Sequence, residues 1–280
     1  MGGIDNIIKV SILKIGFIGI TTLIEAILDE RASRNDIAVF SVSSGSKMDE
    51  KGIKIVEEIS SALETDLFLL VSPNASLPGP KAFAERLASR KPTILISDAP
   101  AKKIIDEIKG KLGYLIIEAD PLIGVRKEFL DPVEMAIFNS DVIKVLAVTG
   151  VIRVLHSEID RVILELSSNG HARLPSLVIT KDVTMTSSGF SNPYAKAKAM
   201  ASYETARHAA ILASEGAYQE KNRERYLILV AAAHELLRDA ARVADEAREL
   251  EKGNDSVSRI IHEADGSQRE KKRLIDDFPR

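Results

Sequence analysis

The chain of 280 residues contains no cysteine. It therefore cannot form disulfide bridges, thiolate metal sites, iron–sulfur clusters or a cysteine nucleophile. Its 38 basic and 41 acidic residues leave a net charge of −3, which excludes a strongly basic nucleic-acid-binding protein. No segment approaches the ~18 consecutive apolar residues of a membrane span, and residues 1–20 lack the pattern of a signal peptide. We therefore expect a cytoplasmic protein that binds neither nucleic acid nor membrane.

Motifs for several common catalytic chemistries are also missing. The five histidines stand at positions 156, 171, 208, 234 and 262, and no pair of them has the spacing of metal ligands. The chain has neither a phosphate-binding lysine loop nor the nucleophile elbow of serine hydrolases. We therefore predict no metal site, and we interpret the histidines as core or solvent-exposed side chains.

The first half of the chain alternates between short β-branched runs and segments with helical spacing. The runs are nearly continuous in apolar residues, as expected for strands covered on both faces, and they predict strands at 14–20, 37–42, 67–71, 93–97 and 114–117. This alternation predicts an α/β fold with a doubly wound, mainly parallel sheet. Ligands of such sheets bind beyond the carboxyl ends of the strands, so the loops there form the candidate site.

The second half is predicted to be a helical bundle. Asp131-Pro132-Val133-Glu134 combines a helix cap, a proline at the first helical position and the spacing of a capping box, and Asn192-Pro193 repeats the cap and the proline. The longest helix is predicted for residues 221–252, where apolar residues follow three-and-four spacing. A small β segment near 170–190 interrupts the helices. We therefore predict an α/β domain at 1–130 and a helical domain at 131–280.

Three loops at the predicted carboxyl edge contain candidate ligand-binding residues. Residues 16–22 form a truncated Gly-x-Gly-x-x-Gly turn, which also fits an ordinary tight turn. In residues 72–81, Pro80 can open a helix whose free amides, with Lys81 beside them, suit an anion, although a rigid connector fits equally well. Asp98, in Ser97-Asp98-Ala99-Pro100, is either a helix cap or a ligand contact.

Longer stretches resemble the coenzyme F420-dependent methylenetetrahydromethanopterin dehydrogenases of methanogenic and related archaea. The resemblance covers nearly the whole chain from Lys14 onwards, and its specific stretches are LDERA (28–32), SPNASLPGP (72–80), FLDPVEMA (129–136), VLAVTG (145–150), NPYA (192–195) and ADEARELEK (244–252). It implies an α/β domain, a helical bundle and a small β segment, assembled as a homohexamer. It further implies reversible hydride transfer between methylenetetrahydromethanopterin and the deazaflavin coenzyme F420 in one-carbon metabolism and methanogenesis.

The resemblance also implies where the two ligands bind. For F420 it implies residues in the strand-end loops: Gly19, Thr21, Thr22, Ser72, Pro73, Asn74, Pro78, Gly79, Lys81, Asp98 and Ala99. For the tetrahydromethanopterin carrier it implies Lys127, Asp131, Glu134, Asn192 and Tyr194. No acid–base residue is needed, because hydride loss leaves a resonance-stabilised methenyl cation. Asp131 is therefore expected to act catalytically through its charge, as the electrostatic partner of that cation.

Two turns are expected to depart from the family pattern. The family's first turn usually reads Lys-x-Gly-Asn-Ile-Gly-Thr-Ser after the strand. With the first strand at residues 14–20, this chain would have a shorter turn without the lysine, the first glycine and the asparagine. After the fourth strand, the family's Gly-Asp-Ala-Pro-Gly is replaced by SDAPA at 97–101. These departures keep an alternative open, namely a paralogue that binds a tetrahydropterin carrier but uses another electron carrier or has no redox activity.

Overall fold

A computed structural model describes residues 7–29, 33–121 and 131–279 of the chain. Six strands form one entirely parallel sheet with the order β2-β1-β3-β4-β5-β6. The strands are β1 Ile8–Lys14, β2 Ile37–Ser43, β3 Leu67–Ser72, β4 Thr93–Asp98, β5 Gly113–Ile117 and β6 Ser176–Ile179. The order reverses between β1 and β3, which is where sheets of this kind leave a crevice for ligands. The predicted α/β fold with a doubly wound parallel sheet is confirmed.

Helices connect and follow these strands. In chain order they are α1 Thr21–Asp29, α2 Glu50–Ser61, α3 Pro78–Ala88, a 3₁₀ helix at Ala99–Ile104, α4 Ile105–Ile108, α5 Pro132–Thr149, α6 Val151–Asn169, α7 Lys181–Ser187, α8 Pro193–Ser214, a π-helical turn at Glu215–Gln219 and α9 Arg223–Gly253. The predicted caps are present, because Asp131 accepts from the amides of Val133 and Glu134, and Asn192 accepts from those of Tyr194 and Ala195. Gly150 separates α5 from α6 in a left-handed conformation, with φ at 101°.

The first strand lies about one strand length earlier than the sequence pattern predicts. Residues 14–20 were expected to be a strand, whereas β1 spans Ile8–Lys14 and residues 15–20 form the loop that leads into α1. Polar residues concealed the strand, because Ser11 is fully buried through a hydrogen bond between its hydroxyl and that of Thr65 (2.7 Å). The loop resembles a strand in sequence because Ile15, Ile18 and Ile20 are all fully buried.

The sheet is covered on both faces, which explains its apolar strands. One hydrophobic cluster joins the strands to α2 and α3 through side chains such as Phe68 and Phe83. The cluster on the other face combines strand residues with α1, α5, α6 and α8, and it includes Ile12, Phe138 and Tyr203. All residues of β3, β4 and β5 are consequently buried. This burial fixes the positions of the loops that follow the strands.

The small β segment belongs to the main sheet. Ser176–Ile179 pairs in parallel with β5 and forms the edge strand β6, so the second half of the chain completes the sheet of the first. The helix α7 follows within the same Ser/Thr-rich stretch. The domain division at residue 130 stays a prediction, since one hydrophobic cluster contains residues from both sides of it.

The tail also forms a β-hairpin that the sequence pattern did not predict. Its strands, β7 Arg259–His262 and β8 Gln268–Lys271, are antiparallel. The hairpin lies against α6, where Arg153 donates to the backbone oxygen of Ser258 (2.7 Å), and against the segment before β2, where the amide of Asn35 donates to Ala264 (2.7 Å).

No single helix among the described residues is long and apolar enough to cross a membrane. Helices α5 and α6 together have the length and apolar composition of a membrane span, but the chain bends by 68° at the break between them.

Helices α8 and α9 pack closely because small side chains line the surface between them. Ala240, Ala244 and Ala247 on α9 are fully buried, as are Ala199 and Ala206 on α8. The hydroxyl of Ser202 donates to the backbone oxygen of Ala240 at 2.7 Å, which also brings the two backbones near each other. Alanine at these positions leaves no room for a longer side chain.

We expect Ala244→Leu to lower the free energy of unfolding by about 1–3 kcal/mol, because the added methylenes overpack a filled interface. The control is Ala201→Leu, which adds the same atoms at an exposed position of α8. Thermal denaturation of both variants checks the expectation. Equal melting temperatures for the two variants would contradict it.

Candidate functional site

The loops after β1, β3, β4 and β5 meet at the carboxyl edge of the sheet. A side chain at Gly16 would come within 3.0 Å of Pro73, and the amide of Ala75 donates to the hydroxyl of Ser97 (3.2 Å). The loop before α1 also contacts the loop after β5, through Gly19 and Asp120. The sequence prediction that these loops share one edge is therefore consistent with the contacts.

Asp120 holds the first loop in place. The backbone amides of Gly19 and Ile20 donate to its two carboxylate oxygens, each at 3.1 Å. Gly19 lies so close to Asp120 and to Val142 of α5 that a Cβ would come within 3.0 Å of the carboxylate and 2.3 Å of the valine. Burial raises the pKa of Asp120 to about 7, against the two backbone hydrogen bonds that lower it.

Asp98 is the second buried carboxyl group at this edge. Its side chain is 2% exposed at the end of β4, and neither oxygen has a hydrogen-bond partner within residues 7–29, 33–121 and 131–279. Burial raises the pKa of Asp98 well above its usual range, and the nearby charge of Asp120 raises it further. Asp98 precedes the 3₁₀ helix without a side-chain cap bond, so of the two predicted roles the cap is not observed. A buried carboxyl without a partner is costly for the fold and so indicates a functional group.

A cleft of about 340 Å³ opens over these two carboxyl groups. Ala99 and the basic side chains Lys102 and Lys103 line one wall, and α8 supplies the opposite wall with Arg207 and Ile211. Lys102 forms an ion pair with Glu118 (2.7 Å), and Arg207 pairs with Glu204 (2.8 Å). Lys103 is exposed and has no ion pair among the described side chains. The cleft therefore combines apolar side chains, buried carboxyl groups and an available cation.

Other residues predicted for F420 have structural partners of their own. The hydroxyl of Thr21 binds the backbone of Ile18, and that of Thr22 donates to Gly19 (3.2 Å), so both stabilise the turn before α1. Asn74 accepts from the amide of Ser76 (3.1 Å), which shapes the loop after β3. Lys81 forms an ion pair with Glu107.

The remaining members of the F420 set lie on both sides of that loop. Ser72 and Pro73 are buried at the carboxyl end of β3. Pro78 and Gly79 begin α3 and face α2, where Gly79 approaches Ile53.

The residues predicted for the carrier do not form one cluster in the chain. Asp131 is exposed and acts as the cap of α5, while Glu134 lies 2.9 Å from the imidazole of His234 on α9. Tyr194 is 79% exposed at the opposite end of α8 from the cleft, about 24 Å from Ala210 at 1.5 Å per residue. Lys127 lies outside the described residues. The binding roles of these residues and the catalytic role of Asp131 stay predictions.

Comparison with known proteins identifies the family. Residues 8–279 match the family model of methylene-5,6,7,8-tetrahydromethanopterin dehydrogenase. The chain belongs to this family. It is 49% identical to the F420-dependent methylenetetrahydromethanopterin dehydrogenase of Archaeoglobus fulgidus, over 93% of this chain and 95% of the relative. The enzyme of the same name from Methanocaldococcus jannaschii is 44% identical, over 96% and 99% of the two chains.

A solved member of the family has the same fold. It is an F420-dependent methylene-tetrahydromethanopterin dehydrogenase in complex with methylene-tetrahydromethanopterin and coenzyme F420. The two chains superpose with a TM-score of 0.93 at 40% identity, covering 98% of this chain and all of the other. The family membership predicted from the sequence stretches is thereby confirmed.

The position of β1 changes how the first turn compares with the family pattern. β1 ends at Lys14, and the chain from this lysine to residue 21 reads Lys-Ile-Gly-Phe-Ile-Gly-Ile-Thr. Lys14, Gly16 and Gly19 thus occupy the pattern's lysine and both of its glycine positions. Phe17 replaces the asparagine, and Ile20 replaces the threonine. The expected shortening of this turn was wrong, and it resulted from placing the strand too late.

Sequence reasoning missed four residues that surround the cleft. Asp120 lies three residues after the predicted strand at 114–117, in a loop at the carboxyl edge, and this position is a signal that could have identified it. Lys102 and Lys103 follow the Asp98 loop within a stretch of ordinary helical composition. Arg207 lies in the middle of α8, and no sequence pattern brings it to the sheet edge.

Proposed function

We propose that this protein catalyses the reversible transfer of a hydride between methylenetetrahydromethanopterin and coenzyme F420. The observation that carries the proposal is its near-complete superposition on the family member that holds both of these compounds. The first turn adds support, because its lysine and both glycines are present and the loop has the family's length. These observations favour the dehydrogenase over a paralogue that lacks redox activity or uses another electron carrier.

The cleft above Asp98 and Asp120 has the features that a deazaflavin requires. When bound, F420 supplies a ring carbon that accepts or returns the hydride. Ile211 and Ala210 offer apolar contacts for a ring, and the Asp98 carboxyl offers a hydrogen-bonding group without a protein partner. Lys103 lies where it can attract the anionic phosphodiester and glutamyl tail of F420. We assign the coenzyme to this cleft on these grounds.

The protein's own contribution to such a reaction is positioning and electrostatics. Hydride transfer needs the two reacting carbons close together and correctly oriented, and it needs no proton transfer to a side chain. Asp120 keeps the first turn fixed through the amides of Gly19 and Ile20, and the buried strands keep Asp98 in place. We keep Asp131 as the proposed electrostatic partner of the methenyl cation, since its carboxylate is exposed at the start of α5.

Assembly and location belong to the same proposal. We infer a homohexamer in the cytoplasm of an archaeon, on the basis of the family resemblance. Exposed apolar side chains on α5 and α9, including Val133, Ile137 and Ile228, are compatible with contacts between copies of the chain.

The direct test is an assay of F420 reduction, followed by absorbance, with purified protein and methylenetetrahydromethanopterin. We expect turnover in both directions. Separate titrations with F420 and with the carrier show which ligand fails if turnover is absent. Binding of the carrier without binding of F420 would support the paralogue instead.

We expect Lys103→Ala to weaken F420 binding by up to about 5-fold at low salt, because an exposed charge contact contributes at most ~1 kcal/mol. The loss should shrink as salt is added, since screening acts over ~8–10 Å at physiological ionic strength. Lys109→Ala is the matched control, because Lys109 is an exposed lysine in the same segment but outside the cleft. Equal affinities of the two variants at every salt concentration would remove Lys103 from the site.

A further inference from the structure

The C-terminal hairpin meets α6 in a cluster of potential metal ligands far from the cleft. His156 and Asp160 lie one turn apart on α6, and His262 lies on β7. One ligand atom of each residue lies within 4.8 Å of the other two, and these are the only three His, Cys, Asp or Glu residues so arranged in the part of the chain that the structure describes. Because His156 and His262 are 106 positions apart in sequence, spacing rules could not predict their meeting.

The distances within the cluster fit a small tetrahedral ion. Asp160 Oδ2 lies 2.9 Å from His262 Nε2 and 3.3 Å from His156 Nε2. Ligand atoms about 2.0–2.1 Å from a tetrahedral zinc ion are separated from each other by roughly 3.3 Å. The distances from the carboxylate oxygen to the two imidazole nitrogens are therefore close to the separation that such an ion imposes, and the two nitrogens lie within 4.8 Å of each other.

A fourth ligand is available from the opposite strand of the hairpin. Gln268 pairs directly with His262 across β7 and β8, and its side-chain nitrogen lies 2.8 Å from Asp160 Oδ2 and 3.2 Å from His262 Nε2. A half-turn of the amide exchanges its nitrogen and oxygen, which are nearly indistinguishable in shape. The amide oxygen then faces the same point as the two imidazoles and the carboxylate.

The charges around the cluster suit a divalent ion as well. Arg34 donates to the other oxygen of Asp160 (2.9 Å), and the same guanidinium makes two hydrogen bonds to Asp36. Asp36 thus offsets the charge of Arg34, and the charge of Asp160 remains for the ion. Such a hydrogen bond to the second oxygen is the usual support for a ligating carboxylate.

We propose that His156, Asp160, His262 and Gln268 bind a divalent transition-metal ion of the zinc class, which fastens the C-terminal hairpin to α6. Two imidazoles with one carboxylate and one amide oxygen form a donor set that such ions accept. His262 is fully buried and Asp160 and His156 are largely buried, whereas Gln268 is exposed, so an ion has a path from solvent. The role is structural and does not depend on the proposed hydride transfer.

The test uses the full chain after treatment with a chelator. Titration with Zn²⁺ in a calorimeter is expected to give one ion per chain, and Co²⁺ is expected to give the intense visible absorption of a tetrahedral site. Zn²⁺ should also raise the melting temperature, because a ligand that binds only the folded state stabilises it.

Variants locate the ion. Substitution of a residue that only supports a metal ligand lowers metal affinity by up to ~100-fold. His156→Gln and His262→Gln remove a ligand itself, so each should weaken Zn²⁺ binding by more than this. His208→Gln should bind like the parent, because His208 is exposed on α8 away from the cluster. If His262→Gln does not fold, the Zn²⁺ affinity of His156→Gln tests the site alone. His156 lies nearer the surface, so its substitution disturbs the fold less. Absence of stoichiometric binding, or equal loss in His156→Gln and His208→Gln, would overturn the proposal.

Discussion

Asp98→Asn is expected to be more stable than the parent at pH 8 and to bind F420 less tightly. The substitution keeps the shape of the side chain but removes a carboxyl group that is buried without a partner among the described residues. Residues that serve function often lower the stability of the fold. We therefore expect Asp98→Asn to gain stability and to lose affinity for F420.

The pH dependence follows from the direction of the pKa shift. Burial and Asp120 raise the folded-state pKa of Asp98 well above the value of about 4 that an unfolded chain has. Between these two values the folded protein binds more protons than the unfolded one, so its stability falls as pH rises, by up to ~1.4 kcal/mol per pH unit. Below pH 4 the group is protonated in both states, and the full contribution is present.

Thermal denaturation from pH 4 to pH 8 tests this expectation. The melting temperatures of Asp98→Asn and the parent should nearly coincide at pH 4 and separate by several degrees at pH 8, since 1 kcal/mol corresponds to about 2–4 °C in chains of comparable size. Asp106→Asn, a change at an exposed carboxylate of α4, serves as the control. Parallel curves for parent and Asp98→Asn would show that Asp98 is not held protonated by the fold.

The functional half of the prediction needs a separate measurement. If the carboxyl of Asp98 binds the coenzyme, titration with F420 should show weaker binding to Asp98→Asn under conditions where both proteins are folded. The Asp106→Asn control should bind like the parent. If Asp98→Asn is more stable than the parent but binds F420 with the same affinity, the raised pKa of Asp98 is supported and its contact with the coenzyme is contradicted.

The central sheet could be predicted because its strands are almost uninterrupted apolar runs. Leu67–Ser72 and Thr93–Asp98 are buried on both faces, so burial leaves a direct trace in their composition. The first strand could not be placed in the same way, because Lys9 and Ser11 obtain their partners from residues near the start of β3. Those partners are distant in sequence, and only the folded chain brings them together.

The candidate site was partly predictable for a related reason. The rule that ligands gather at the carboxyl edge of a parallel sheet pointed to the loops of Gly19 and Asp98. Asp98 lines the cleft together with Asp120, and Gly19 contacts Asp120 through its amide. It gave no information about the α8 wall, since Arg207 reaches the cleft through helix packing. The hairpin at the tail was hidden because neither Arg-Ile-Ile-His of β7 nor Gln-Arg-Glu-Lys of β8 alternates between apolar and polar residues.

Gly19→Ala is expected to destabilise the protein and to weaken F420 binding in the same variant. The new Cβ would lie 2.3 Å from a methyl group of Val142 and 3.0 Å from a carboxylate oxygen of Asp120. Valine is stiff and fully buried here, so the loop or α5 must shift, at a cost of about 1–3 kcal/mol. The shift would disturb the bonds from the loop amides to Asp120 and hence the floor of the cleft.

A second substitution tests whether the contact with Val142 is the cause. Val142→Ala removes the methyl groups that the new Cβ meets, so the double variant should be less destabilised than the sum of the two single changes. Gly253→Ala is the control, because a Cβ at that helical position meets nothing within 4 Å, and the change should be neutral or stabilising. Denaturant unfolding of all four variants gives the coupling energy. If the costs of Gly19→Ala and Val142→Ala simply add, the clash with α5 does not explain why glycine is required, and the contact with Asp120 remains as the cause.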